Sequence, residues 1–273
     1  MYVKMHIIPL FCLLLQLVAP PLCARECQGG DVRELPFKEG ETLTYVLNYT
    51  FGGVNTDVGE GVARLNYNDG VFNAVVKGRT FKFYDLFFKV REHFESDFSE
   101  STLRPLRFYR NAQEGKYKVT NEFRFNDTLD RLYITVQKRD KPQKDTLLTD
   151  IRNTYDLVSL FYSCRTIDFS KVEKEVKQPI TFAIDREKYN LYFIYHGEEI
   201  KKIRGLGTFK TMKFTARLVA GEVFTGEDEL FIWITADGNK IPLLFESKVL
   251  VGTVYGRLKE FGNLKYPLSS KIK

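Results

Sequence analysis

From Thr42 to Phe51 the chain alternates. Leu43, Tyr45, Leu47 and Tyr49 fall on one face, and Thr42, Thr44 and Asn48 on the other. A period of two belongs to a strand with one face buried. Similar runs recur at Val58–Tyr67, Val71–Phe83, Phe87–Phe98, Leu103–Arg110, Tyr117–Phe125 and Arg131–Lys138. Turn residues stand between them: Gly52-Gly53, Asn68-Asp69-Gly70, Gln113-Glu114-Gly115 and Asn126-Asp127. Short strands at this spacing predict an antiparallel meander. Gly59 and Gly61, inside a strand pattern, predict a bulge or a close backbone approach.

The rhythm changes at Asp150–Arg165. Ile151, Tyr155, Val158 and Tyr162 recur at helical spacing, and Leu157, Leu160, Phe161 and Cys164 widen the apolar face. This predicts a buried helix over 150–165, with Asp150 as N-cap and Arg165 at the favourable end of the dipole. Strands then resume at Ile180–Ile184, Tyr189–His196 and Thr208–Val219. The stretch from Asp228 to Tyr255 carries two apolar runs around Asp237-Gly238, which predicts a hairpin with a two-residue primed turn. Both faces of its first arm are largely apolar, so Trp233 reads as a core residue. Gly256–Phe261 ends the pattern.

The fold expected is mainly β. It is a single antiparallel, strongly curved sheet, or an open barrel or sandwich, of about twelve strands with one buried helix. No Pro/Ser-rich linker divides the chain, so residues 25–273 read as one domain. Residues 25–40 form a leader, and the charged segment 138–149 is a surface loop. Aromatic residues make up 14% of the chain, with 23 Phe and 15 Tyr against three Met, and this favours strands over helices.

The N-terminus changes the compartment. Lys4 precedes an apolar core from Ile7 to Val18, and Ala19-Pro20-Pro21-Leu22-Cys23-Ala24 follows. This is the layout of a signal peptide over 1–24, cleaved after Ala24. Its core is about a dozen residues, short of a bilayer span. The expected location is the periplasm of a Gram-negative bacterium. Two alternatives are an uncleaved anchor and lipidation at Cys23, although Leu22 is not the small residue expected before a lipidated cysteine. After cleavage no further membrane span is expected, and Cys27 and Cys164 remain. In an exported protein they can form a disulfide. The other reading, which is preferred, makes Cys164 a buried small hydrophobe.

Candidate chemistry is sparse. The net charge of +6 is spread along the chain, which argues against nucleic acid as a partner. His93 and His196 lie far apart in sequence, without the spacing of metal ligands, so no metal or cofactor is expected. Gly205-Leu206-Gly207 lacks the lysine and helix of a phosphate loop. Carboxylates cluster at Glu92, Glu95 and Asp97 and at Glu227, Asp228 and Glu229, but no catalytic residue is singled out. The aromatic runs Phe81, Phe83, Tyr84, Phe87, Phe88 and Tyr189, Tyr192, Phe193, Tyr195 read first as core and cross-strand pairs. Their alternative use is an apolar trough.

Several short blocks resemble a family of exported bacterial proteins, that of domain of unknown function 3108. They are Phe37-Lys38-Glu39-Gly40-Glu41-Thr42-Leu43-Thr44-Tyr45, Leu103-Arg104-Pro105-Leu106-Arg107-Phe108 with Glu114-Gly115-Lys116-Tyr117, and Tyr155–Arg165. Gly205–Lys210, Ile232–Asp237, Ile241-Pro242-Leu243 and Val251–Val254 complete the set. The resemblance implies an exported antiparallel β protein and brings no activity or cofactor. The resulting expectation is a non-enzymatic envelope protein that binds a lipid, peptide or envelope protein. Its rivals are an envelope hydrolase using carboxylates or a histidine, and a structural component of a surface complex.

Overall fold

The computed structural model describes residues 34–217, 229–248 and 252–273. Its first half is a meander of eight strands: β1 (Thr42–Phe51), β2 (Val54–Asn68), β3 (Val71–Thr80), β4 (Val90–Ser99), β5 (Pro105–Glu114), β6 (Tyr117–Asn126), β7 (Arg131–Lys138) and β8 (Lys144–Thr149). The second half holds β9 (Thr154–Tyr155), β10 (Lys177–Ile184), β11 (Glu187–Ile203), β12 (Gly207–Arg217), β13 (Glu229–Thr235), β14 (Pro242–Lys248) and β15 (Thr253–Gly262). Two helices interrupt them, α1 (Lys82–Asp85) and α2 (Leu157–Cys164).

All the strands form one sheet of fifteen, more than the twelve or so expected, in the order β8-β7-β6-β5-β4-β3-β2-β1-β15-β14-β13-β12-β11-β10-β9. Every pairing is antiparallel except β9 with β10. The surplus has two sources. The segment 138–149, expected as a surface loop, contains β8, which pairs with β7 through Arg131↔Thr149 to Val136↔Lys144. Its short, charged and mostly exposed sequence suits an edge strand, which discourages pairing with another chain. The segment expected to open the helix instead makes β9.

The sheet is joined at its middle, where β1 meets β15, and its outer edges β8 and β9 do not pair. It curls until the turn between β10 and β11 reaches the inner face of the first half. There Asn121 Nδ2 donates to Asp185 Oδ1 at 2.9 Å, and Arg110 Nη1 lies 3.6 Å from the same oxygen. The inner face of both halves and α2 share one apolar core, from Leu43 and Phe94 to Phe182 and Leu258.

The helix is shorter than expected and starts later. Asp150 has a left-handed φ of 56° and lies outside it. Asp156 is the N-cap, and its carboxylate accepts from Val158 N at 2.8 Å and Ser159 N at 2.9 Å. Seven of its eight residues are buried, all but Ser163. At the far end Arg165 donates to both oxygens of Glu41, at 2.5 and 2.7 Å, and to the Asn239 carbonyl at 3.0 Å.

Turns follow their residues closely in one hairpin and not in another. Asp69 (φ 45°) and Gly70 (φ 77°) join β2 to β3, the two left-handed residues that a primed turn needs. Asp237-Gly238 does not make the expected two-residue turn. Residues 236–241 link β13 to β14, and the left-handed residue is Lys240 at φ 47°. Gly238 is needed for space, because a Cβ there would lie 2.9 Å from the Tyr266 ring. Gly59 meets the expected close approach, since a Cβ there would lie 2.6 Å from the Arg79 carbonyl oxygen.

Trp233 is buried, but on the outer face and not in the core, whose β13 members are Leu230, Ile232 and Ile234. Polar side chains cover it. Lys201 Nζ stands 3.6 Å from the ring centroid, and the indole Nε1 donates to Glu199 Oε1 at 2.5 Å. An ammonium held over an indole face is attracted by the ring's negative π-face.

Candidate functional site

The loop that joins β3 to β4 departs most from its sequence reading. The sequence places Phe81 and Phe83 at the end of one strand and Phe87 and Phe88 at the start of the next, with these aromatics and Tyr84 as core and cross-strand pairs or, alternatively, an apolar trough. Instead β3 ends at Thr80 and the chain makes the single turn α1. An aromatic run without period two has no preferred face, and here it leaves the sheet. Phe83, Leu86 and Phe87 are 63%, 80% and 75% exposed. Phe83 packs on Phe87, with ring centroids 5.6 Å apart.

The neighbouring turn between β1 and β2 adds Phe51 and Val54, also exposed. Phe81 N donates to the Val58 carbonyl at 3.0 Å, and the Tyr84 hydroxyl is hydrogen-bonded to that of Thr56. These bonds fix the β3–β4 loop to the first residues of β2, at one end of the sheet. Below them Leu47, Val58 and Val90 form a small separate core, with Tyr49, Tyr84 and Phe88 packed against it. Phe88 sits over Gly115, whose left-handed φ of 57° and 3.0 Å clearance from the ring both favour glycine.

A charged cluster adjoins this floor. Val90 pairs with Glu114 across β4 and β5, and Glu92 lies on the same face as Val90. Arg110 Nη2 donates to Glu114 Oε1 at 2.9 Å, and its Nε lies 3.5 Å from Glu92 Oε2. All three side chains are buried. Burial pushes the Glu92 carboxyl well up, and the Glu114 carboxyl up as well, against the pull of Arg110. With one guanidinium facing two buried carboxyls, the pair favours holding a proton. Glu92 Oε1 and Asn121 Oδ1 have no hydrogen-bond partner in the protein. The signal for this cluster was present in the sequence. Glu92 alternates with Phe94, Ser96 and Phe98, which puts it on the inward face.

A second polar cluster lies on the outer face. The strand register shifts between Tyr195 and Gly197, and this bulge re-aims His196. Its Nδ1 is 2.9 Å from Glu175 Oε1, and its Nε2 is 3.0 Å from Thr215 Oγ1. The order hydroxyl, imidazole, carboxylate is that of a nucleophile, a base and an orienting group. Thr215 is 4% exposed, so the hydroxyl is covered. His93 is separate, with Nε2 3.8 Å from Glu95 Oε2. Glu95 and Asp97 do share a face, where both accept from Asn73, at 3.1 and 2.7 Å.

Among the described residues no group of three His, Cys, Asp or Glu side chains is placed to hold a metal ion. Nor is any helix among them long and apolar enough to cross a membrane. Gly205 and Leu206 belong to the turn between β11 and β12, and Gly207 opens β12. Cys164 is buried, and burial raises its thiol pKa. Ala24, Cys23, Cys27, Glu227 and Asp228 lie outside the described residues, as does the side chain of Glu229.

A family model described as "Protein of unknown function (DUF3108)" matches residues 44–259. No curated protein matches the chain. Among solved structures the chain is similar to a crystal structure titled as a beta-barrel-like protein of domain of unknown function DUF1849 from Brucella abortus. The TM-score is 0.57 at 9% identity, over 86% of this chain and 100% of that one. At that identity the likeness concerns the fold alone.

Proposed function

Since the chain belongs to the DUF3108 family, whose activity is unknown, we propose that it is an exported, non-enzymatic protein of the cell envelope that binds an apolar partner. The observation that carries this is the exposure of Phe51 and Val54 at the β1–β2 turn and of Phe83, Leu86 and Phe87 on the β3–β4 loop, which is hydrogen-bonded to β2. Large apolar side chains exposed together mark interaction surfaces. The signal-peptide layout of residues 1–24 supports export to the periplasm. Purification from the host, followed by mass spectrometry of bound material, tests the reading. Apolar or peptidic material should co-purify with the native chain and be lost from a Leu86→Ser/Phe87→Ser variant. Equal recovery from both, or none from either, overturns it.

The rival is a hydrolase, and two observations favour it: the Glu92–Glu114 pair and the Thr215–His196–Glu175 arrangement. The Glu92–Glu114 pair is buried, and the Thr215 hydroxyl is covered although Glu175 is exposed, which is why the binding reading is preferred. A purely structural role in a surface complex would use the same exposed loops. There, a protein subunit would co-purify in fixed stoichiometry.

A further inference from the structure

We propose that the loop end of the sheet seats the protein on an anionic lipid bilayer. This rests on the binding reading and names its partner. Five exposed apolar side chains form the tip, two flanking the β1–β2 turn and three on the β3–β4 loop that is hydrogen-bonded to the start of β2. Lys82 and Lys89 bracket the longer loop, Lys116 stands on the next turn beside Gly115, and Lys118 follows at the start of β6. All four lysines are exposed.

The acidic groups nearby are already engaged. Asp85 is held by Arg91, at 2.5 and 2.9 Å. Glu114 is buried against Arg110. Lys82, Lys89, Lys116 and Lys118 make no ion pair among the described residues, so the charge presented around the tip is positive. An aromatic and leucine tip flanked by lysines matches the two layers of an anionic membrane surface. The apolar side chains reach the acyl boundary, and the ammonium groups meet the phosphates. A purely apolar groove in a protein would leave the lysines without counter-charges.

Sedimentation with sucrose-loaded vesicles tests this on the purified protein. One set is phosphatidylcholine alone, and the other includes phosphatidylglycerol at about one third, near the anionic content that makes polybasic attraction measurable. Binding is expected to the anionic vesicles, and to fall as salt rises. Lys82→Gln and Lys89→Gln should each weaken it about fivefold. Leu86→Ser/Phe87→Ser should weaken it by about tenfold or more with an unchanged melting temperature. No binding, or binding that ignores both lipid charge and these variants, overturns the membrane inference. If the vesicles fail while apolar or peptidic material still co-purifies in a Phe87-dependent way, the binding reading stands alone. If both fail, both readings fall.

Discussion

Arg165 and Glu41 face each other with both side chains almost wholly out of solvent, joined by bonds of 2.5 and 2.7 Å. The pair ties the end of α2 to the segment entering β1. Phe37, Phe161 and Tyr162 lie around the guanidinium, with ring centroids 5.3–6.0 Å away. Removing one partner leaves a buried charge alone. Glu41→Ala should therefore cost about 3–5 kcal/mol in urea unfolding, whereas Glu41→Leu with Arg165→Met should recover much of that. Equal losses in the single and double variants would show that the ion pair is not the source.

Asp156 predicts a pH dependence with a definite sign. Burial raises its carboxyl from 3.8 to about 6, although Ser96 Oγ, Ser159 Oγ and two backbone amides donate to it. The folded state then holds a proton that the unfolded state has released. The stability from this group is fully present below pH about 4 and is lost as pH rises through about 6, a span of about 3 kcal/mol. Asp156→Asn keeps an acceptor for the helix cap and should flatten that part of the curve. Parallel curves for the two proteins would refute the assignment.

The same sign holds for the inner cluster. The Glu92 and Glu114 carboxyls are both raised, mainly by burial, so they too favour the folded state at the acid side. Glu92→Gln, a neutral isostere, should be tolerated at neutral pH. Arg110→Met removes the one guanidinium that faces both acids and should cost about 3–5 kcal/mol there, less at low pH. Denaturant midpoints at two pH values decide it.

The meander was legible because its strands bury one face, which writes period two into the sequence. Asn68-Asp69-Gly70 was legible because left-handed backbone restricts the residues allowed. Three features were hidden for physical reasons. Glu41 and Arg165 meet across 124 positions, and no local pattern records that. The Phe81–Phe88 run is mostly aromatic, with Lys82 and Asp85 falling at no period that marks a face, so its exposure could not be told from burial. Trp233 looked central because Phe231 and Trp233 are apolar on one face while Ile232 and Ile234 fill the other. The cover over that outer face comes from Lys201 and Glu199, both on another strand. Lys201 and Glu199 read as ordinary surface charges. In contrast, the inward placement of Glu92 followed from alternation with Phe94 and Phe98 and was available to be read.

Trp233 is the only tryptophan, so intrinsic fluorescence reports on this outer face. Lys201→Ala uncovers the ring and should shift emission to the red. Trp233→Phe loses the bond to Glu199 and weakens the contact with Lys201, for about 1–2 kcal/mol. A ring in the apolar core would give no red shift on loss of a lysine.

The loop end separates stability from binding. Leu86 and Phe87 are 80% and 75% exposed, so serine at either should change stability by no more than about 0.5 kcal/mol. Val90, beneath them, is 2% exposed, and Val90→Ala should cost about 1–3 kcal/mol. If the tip were a misplaced piece of core, the two serine variants would lower the melting temperature as Val90→Ala does. The expected result is the opposite pattern. The serine variants should melt with the native protein and lose the apolar partner. Val90→Ala should melt earlier and, while folded, keep it.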